Sequence, residues 1–201
     1  MDARAVERAA AVVRGGSVLV YPTETVYGIG CDPADEAAVA RVRAVKGRDA
    51  DKPMLAITDR WDRVEPWIER GGEVHRALMR HEPPLPVTIV FEASAGAPPG
   101  LVSAEGGIGI RRTTEAFCRA LVAAAGTAVL STSANRAGRP SVHRFADLDP
   151  AVLDAVDEAV DAGRPLGGTP STVVRVADGE LVVLREGAVE AAVLRRIVAS
   201  G

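Results

Sequence analysis

The chain is short of lysine, cysteine, histidine and aromatic residues, and each shortage closes off a class of chemistry. Among its 201 residues are two cysteines, Cys31 and Cys118, far apart and without metal or redox spacing, so neither a disulfide framework nor a thiolate cluster is indicated. His75, His81 and His143 are scattered, and no Ser-His-Asp or Cys-His arrangement can be argued from them. Aromatic residues make up 3% of the chain, few for the stacking platforms that RNA recognition usually uses. A net charge of −3 and a pI near 5.7 remove any global electrostatic case for nucleic acid or anionic membrane. An anion site therefore has to be local. No apolar run approaches membrane-spanning length, and Asp2, Arg4, Glu7 and Arg8 interrupt any signal-like segment. The expectation is a cytoplasmic protein with no membrane partner. The phosphate-loop pattern G-x-x-x-x-G-K-[ST] is missing, and GGIGIRR lacks the spacing of a dinucleotide fingerprint.

What is present is an ordinary globular composition, 47% hydrophobic and 25% charged. Elements alternate along it. Helical faces are expected over Ala3–Arg14, after Asp35 until Gly47, over Ala116–Ala124, around Leu148–Val156, and over Val189–Val198. Trp61–Met79 reads as two short helices, broken at Pro66 and at Gly71-Gly72. Apolar strand runs are expected at Ser17–Tyr21, Met54–Ile57, Val87–Phe91, Ile108–Arg111 and Thr127–Leu130. Val173–Val176 and Leu181–Leu184 flank Asp178-Gly179, a hairpin signal that makes the sheet mixed. With no repeats or linker, one α/β domain over residues 1–201 is expected: a twisted, open, mixed sheet with flanking helices.

The most informative stretch is Tyr21–Ile57. A buried strand empties into Pro22, Thr23, Glu24 and Thr25, which read as a polar loop. Gly28 and Gly30 imply close backbone approach or positive φ. A helix follows, then a loop holding Lys46, Arg48 and Lys52. The pattern predicts a βαβ unit whose polar loops meet above one sheet edge. Both of the chain's lysines, against 22 arginines, fall in that cationic loop. Either those positions want a compact ammonium, or they are solvated charges beside Asp49 and Asp51. Ser131, Ser133, Asn135 and Ser141 in STSANRAGRPS, and Ser171 with Thr172, place hydroxyls at strand mouths. They suit phosphate or ribose oxygens, or equally an ordinary turn and helix cap. Arg111 and Arg185 follow strands, where a guanidinium clamps carboxylate or phosphate or simply faces solvent. This inventory suits chemistry by positioning and charge on an anionic nucleotide, without a covalent nucleophile.

The ordered set YPTETVYGIG, the K-x-R of Lys46 and Arg48 with KPMLAI, VTIVF, GIGIR, STSANRAGRPS, PSTVV and LREG resembles the YrdC/Sua5 family of threonylcarbamoyl-AMP synthases. The resemblance runs from Val18 to Gly187 and is to the short form, without the extra C-terminal domain of Sua5 proteins. It implies an open α/β sheet with a deep cationic cavity. It also implies an enzyme that condenses L-threonine, bicarbonate and ATP into L-threonylcarbamoyladenylate and pyrophosphate, for t6A formation in tRNA. By that similarity Lys46 and Arg48 are catalytic. Arg48, Lys52, Ser133, Asn135, Ser141 and Arg185 contact ATP, and Thr25, Arg111, Ser131 and Ser171 hold threonine. Mg²⁺ is implied on the phosphates, with no protein metal site. The tRNA threonylcarbamoyl-transfer machinery is the implied downstream partner, and tRNA or other RNA a further one.

Three departures from the family pattern stand out: Pro83-Pro84-Leu85-Pro86 in place of W-P-G-P, Arg112-Thr113 after the arginine, and Ile57 where relatives carry histidine. They keep open a paralogue acting on another carbamoyl substrate. An RNA-binding module using the same cavity is the alternative of a different class. A carbamoyl-transfer domain like that of hydrogenase-maturation proteins is a third, weakened because the accessory zinc-finger and acylphosphatase segments are absent. Alanine at Lys46 or Arg48 is expected to cost activity far more than stability, since loop cations add little to folding.

Overall fold

A computed structural model describes residues 2–47, 54–69 and 71–200. Helix α1 (Ala3–Arg14) is capped by the Asp2 carboxylate, which accepts from the Arg4 amide, and it buries Val6, Ala9, Ala10 and Val13 on one stripe. Strands β1 (Leu19–Pro22) and β2 (Tyr27–Cys31) follow as an antiparallel hairpin. Asp35 caps α2 (Glu36–Lys46), and Gly47 ends it in the left-handed region at φ 57. After β3 (Leu55–Thr58) two 3₁₀ turns and α3 (Glu73–Arg80) occupy the segment read as two short helices. The chain continues through β4 (Val87–Glu92), β5 (Gly107–Arg112), α4 (Ala116–Ala125) and β6 (Val129–Ser133). A four-residue α5 (Pro150–Leu153), β7 (Glu158–Ala159), the hairpin β8 (Thr172–Ala177) and β9 (Glu180–Arg185), and α6 (Ala191–Ser200) complete it.

The strands form one mixed sheet in the order β7-β1-β2-β6-β3-β5-β4-β8-β9. Two expectations are corrected here. The polar run Thr23–Thr25 is a turn, as read, but it closes a hairpin whose second arm, the strand YGIGC, was not expected; Gly28 and Gly30 hid the alternation. The βαβ unit therefore starts at β2. Both β2 and β3 run antiparallel to β6, so they are parallel to each other, joined through α2, with β6 inserted between them. The second correction concerns Ser131, Thr132 and Ser133, which lie inside β6 rather than beyond it.

Residue alternation divides the sheet into two faces. One carries Ile29, Leu130, Ala56, Ile110, Ile89 and Val174, and packs continuously against α2, α5 and α6. The other is covered over only part of its width. There α1 and α4 bury Leu19, Tyr21, Ile57 and Val129 in a second core. Beyond those two helices the same face continues without helical cover: Ser131 pairs Leu55, Leu55 pairs Gly109, Gly109 pairs Val90, and Val90 pairs Arg175. These five residues all line one cavity.

Candidate active site

The cavity has a volume of about 580 Å³ and lies on that uncovered half-face, a size that suits a small-molecule ligand. The turn joining β1 and β2 forms one wall. The Thr23 hydroxyl donates to the Val26 carbonyl at 2.7 Å and accepts from the Thr25 and Val26 amides. Its proton is thereby spent, so in the 3.0 Å contact between the two threonines the Thr25 hydroxyl is the donor. The segment at Gly167 and Gly168 braces this turn from outside. Gly168 N–H donates to the Thr25 carbonyl at 2.7 Å, and a Cβ at Gly167 would stand 2.7 Å from the Glu24 carbonyl oxygen. Only glycine allows that approach.

Arg111 rises from β5 into the middle of the cavity and is 4% exposed. Its Nη1 donates to Thr25 Oγ1 at 3.2 Å. Its Nε lies 3.3 Å from the Glu24 carboxylate but is not aligned for a hydrogen bond, which leaves a buried donor without a partner. Glu24 is in turn held by the Thr113 hydroxyl at 2.7 Å. A buried guanidinium at a cavity wall, with a single carboxylate opposite it, suits a second carboxylate or a phosphate oxygen. Ser131, 4% exposed, and Ser171, 3% exposed, flank it. The Ser171 hydroxyl shares a 2.9 Å hydrogen bond with Thr88, and its carbonyl accepts from Arg185 Nη2 at 2.9 Å. Burial and the neighbouring Arg111 charge hold the Arg185 guanidinium below its ordinary pKa. Two like charges that feel each other across a hollow favour an anion between them.

The far wall is built by the end of α2 and the segment after β6. Lys46 is the last residue of α2, 4% exposed, not a residue of the loop beyond it. Its ammonium donates to the Ser133 carbonyl, and lies 3.3 Å from Ser133 Oγ and 3.4 Å from Asn135 Oδ1. Asn135 spends its amide donors on the Arg136 and Arg139 carbonyls at 3.0 and 2.6 Å. It thus ties the segment down and sets its side-chain oxygen beside Lys46. Behind the β1–β2 turn Tyr21 and Cys118 are buried in the α1 and α4 core, and burial raises the pKa of both, so neither supplies an anion near neutral pH.

Of the residues singled out from the sequence, Thr25, Lys46, Arg111, Ser131, Ser133, Asn135, Ser141, Ser171 and Arg185 line this one cavity. Arg48 and Lys52 lie outside the described residues. Sequence reading passed over the roles of Glu24 and Thr113, which fix Arg111, and of Thr88. The signal for Glu24 was there, a carboxylate in the polar run opposite a strand-borne arginine, but only the pairing of distant strands joins them.

The Sua5/YciO/YrdC family model, described as "Telomere recombination", matches residues 11–187. A threonylcarbamoyl-AMP synthase of Thiobacillus denitrificans is 38% identical over 172 residues, which are 86% of this chain and 91% of the relative. The solved structure of P. abyssi Sua5 complexed with L-threonine superposes with a TM-score of 0.86 at 26% identity, over 96% of this chain and 56% of that one. This chain thus spans little more than half of that Sua5 chain. E. coli YciO gives a TM-score of 0.83 at 26% identity, over 93% of this chain and 91% of that one.

Proposed function

This chain belongs to the Sua5/YciO/YrdC family, and on that premise we propose how its cavity carries out the family's chemistry. The activity is L-threonylcarbamoyladenylate synthesis, an adenylate-forming nucleotidyl transfer that serves t6A formation in tRNA. The observation that supports our reading of the site is the buried Arg111 guanidinium, ion-paired to Glu24 and lining the cavity together with Thr25, Ser131 and Ser171.

Arg111 takes the threonine carboxylate, with the Thr25, Ser131 and Ser171 hydroxyls around it. This fixes the amino group over the sheet. The amine combines with CO₂ from bicarbonate to give the carbamate and releases a proton. One carbamate oxygen then forms a bond to the α-phosphorus of ATP as the bond to pyrophosphate breaks. No protein nucleophile is used. Lys46, Arg48 and Lys52 gather the triphosphate, and Ser133, Ser141 and Arg185 complete the ATP contacts. Asn135 keeps Lys46 aimed.

Among the described residues there is no group of three or more His, Cys, Asp and Glu that could hold a metal. Mg²⁺ would enter on the phosphates, as part of the nucleotide substrate. The product passes to the tRNA threonylcarbamoyl-transfer machinery in the cytoplasm. Among the described residues no helix is long and apolar enough to cross a membrane.

Pyrophosphate release tests this directly. It should require ATP, threonine and bicarbonate together, and omission of any one should stop it. Release that ignores threonine, with RNA binding that survives Lys46→Ala and Arg48→Ala, would replace the synthase by the RNA-binding alternative.

A further inference from the structure

Two of the three departures from the family pattern meet at Arg111. Ile57 pairs Arg111 across the parallel β3–β5 ladder and is wholly buried in the α1 and α4 core, so on that side the arginine has an apolar neighbour. Thr113 stands two residues after Arg111 and is buried as well. Its amide donates to the Thr58 carbonyl at 3.0 Å. Its hydroxyl accepts from the Glu115 amide at 3.1 Å and donates its proton to the Glu24 carboxylate at 2.7 Å. The carboxylate held in this way stands 3.3 Å from Arg111 Nε, and the next residue of the same turn, Thr25, takes Nη1 at 3.2 Å. Contacts on two different nitrogens fix the plane of a rigid, planar fork. Thr25 lines the cavity and Glu24 does not, so Glu24 acts on a ligand only through the direction it gives Arg111.

We infer that Glu24 and Thr113 are positioning residues for the amino-acid end of the reaction: Thr113 fixes the Glu24 carboxylate, and Glu24 sets the plane of Arg111 from behind the cavity wall. This rests on the reading of Arg111 as the threonine-carboxylate clamp and adds to it the device that aims the clamp. Because Thr113 belongs to a pair that departs from the family pattern, the donor that holds Glu24 is this chain's own. A buried guanidinium with no anion beside it would attract a carboxylate more strongly, since its charge would not be shared. It would also accept that carboxylate in several orientations, of which only some carry the amine towards the nucleotide. Glu24 therefore lowers affinity for threonine and secures its orientation, and its worth is read in turnover rather than in binding.

Steady-state pyrophosphate release and calorimetric binding of L-threonine test this together. Thr113→Val removes the hydroxyl at nearly constant shape; kcat should fall about tenfold while the KM values for threonine and ATP stay within about twofold. Thr113→Ser returns the donor and should restore turnover, which a packing role for the threonine methyl would not allow. Glu24→Gln keeps the acceptor for Thr113 and removes the charge. Threonine should then bind about threefold more tightly, although kcat falls about tenfold or more. A threonine KM that rises in step with the loss of kcat in Thr113→Val, a Thr113→Ser enzyme no faster than Thr113→Val, or weaker threonine binding by Glu24→Gln overturns the inference. If Glu24→Gln tightens threonine binding while the wild-type protein releases no pyrophosphate, the aimed clamp stands and the synthase reading falls.

Discussion

Arg111 is the side chain whose substitution says most about how the hollow is divided. Alanine there would strip Glu24 of its partner inside the protein and confuse binding with folding. Lysine keeps a positive charge opposite Glu24 and removes the planar fork. For Arg111→Lys the threonine KM should rise on the order of thirtyfold, the worth of a charge-assisted bidentate contact. The ATP KM should stay within about twofold and the melting temperature should hardly move. Steady-state pyrophosphate release with each substrate varied checks this; a larger rise for ATP would mean that the ends of the cavity are assigned the wrong way round. Lys46 shows the limit of reading at this scale. Its place before a helix-ending Gly47 was legible, but not the direction of its side chain. It points inward to Ser133 rather than into solvent. The rule that loop cations add little to folding therefore does not extend to it, and alanine at Lys46 is expected to cost stability as well as turnover.

Strands with polar or small residues were the elements that escaped the sequence. YGIGC and the Ser131–Ser133 end of β6 lack the apolar runs by which a strand is recognised, because alternate positions carry glycine or serine: Gly30 packs against Tyr21 and Val129, while Gly28, Ser131 and Ser133 line the cavity. Those small residues are what the hollow requires. The structure gives the two glycines different tasks. A Cβ at Gly30 would stand 2.1 Å from the backbone carbonyl oxygen of Leu130 in the neighbouring strand, whereas at Gly28 it would stand 3.1 Å from the Ser131 hydroxyl. Gly30→Ala must push β2 and β6 apart and should cost roughly 3 kcal/mol, about 10 °C in melting temperature for a domain of this size. Gly28→Ala needs only a side-chain shift and should melt within a few degrees of wild type, with a raised threonine KM. Thermal melts of both variants decide it; equal stability of the pair would mean that the strand contact at Gly30 is not tight.

At the scale of the whole molecule the strand identities were mostly legible but their order was not. Inserting β6 between β2 and β3 is a long-range choice that no local pattern announces. The uncovered half-face follows from it: α1 and α4 reach only Leu19, Tyr21, Ile57 and Val129, and leave the floor from Ser131 to Arg175 open. A chain of net charge −3 thereby turns several cations inward around one space. The exposed ion pairs, such as Arg14–Glu7 and Arg76–Glu73, contribute little to the fold. Salt should therefore act on the ligand and spare the protein. At about 100 times its Kd, ATP should raise the melting temperature by roughly 5–10 °C. Raising salt from about 0.05 to 0.5 M shortens the Debye length from ~14 to ~4 Å. That should reduce the ATP shift at fixed nucleotide concentration, while the ligand-free melting temperature stays nearly constant. Differential scanning fluorimetry across a salt series with and without ATP measures both quantities. If the ligand-free protein melted earlier in step with the loss of the ATP shift, the inward-facing cations would be holding the fold together rather than waiting for an anion.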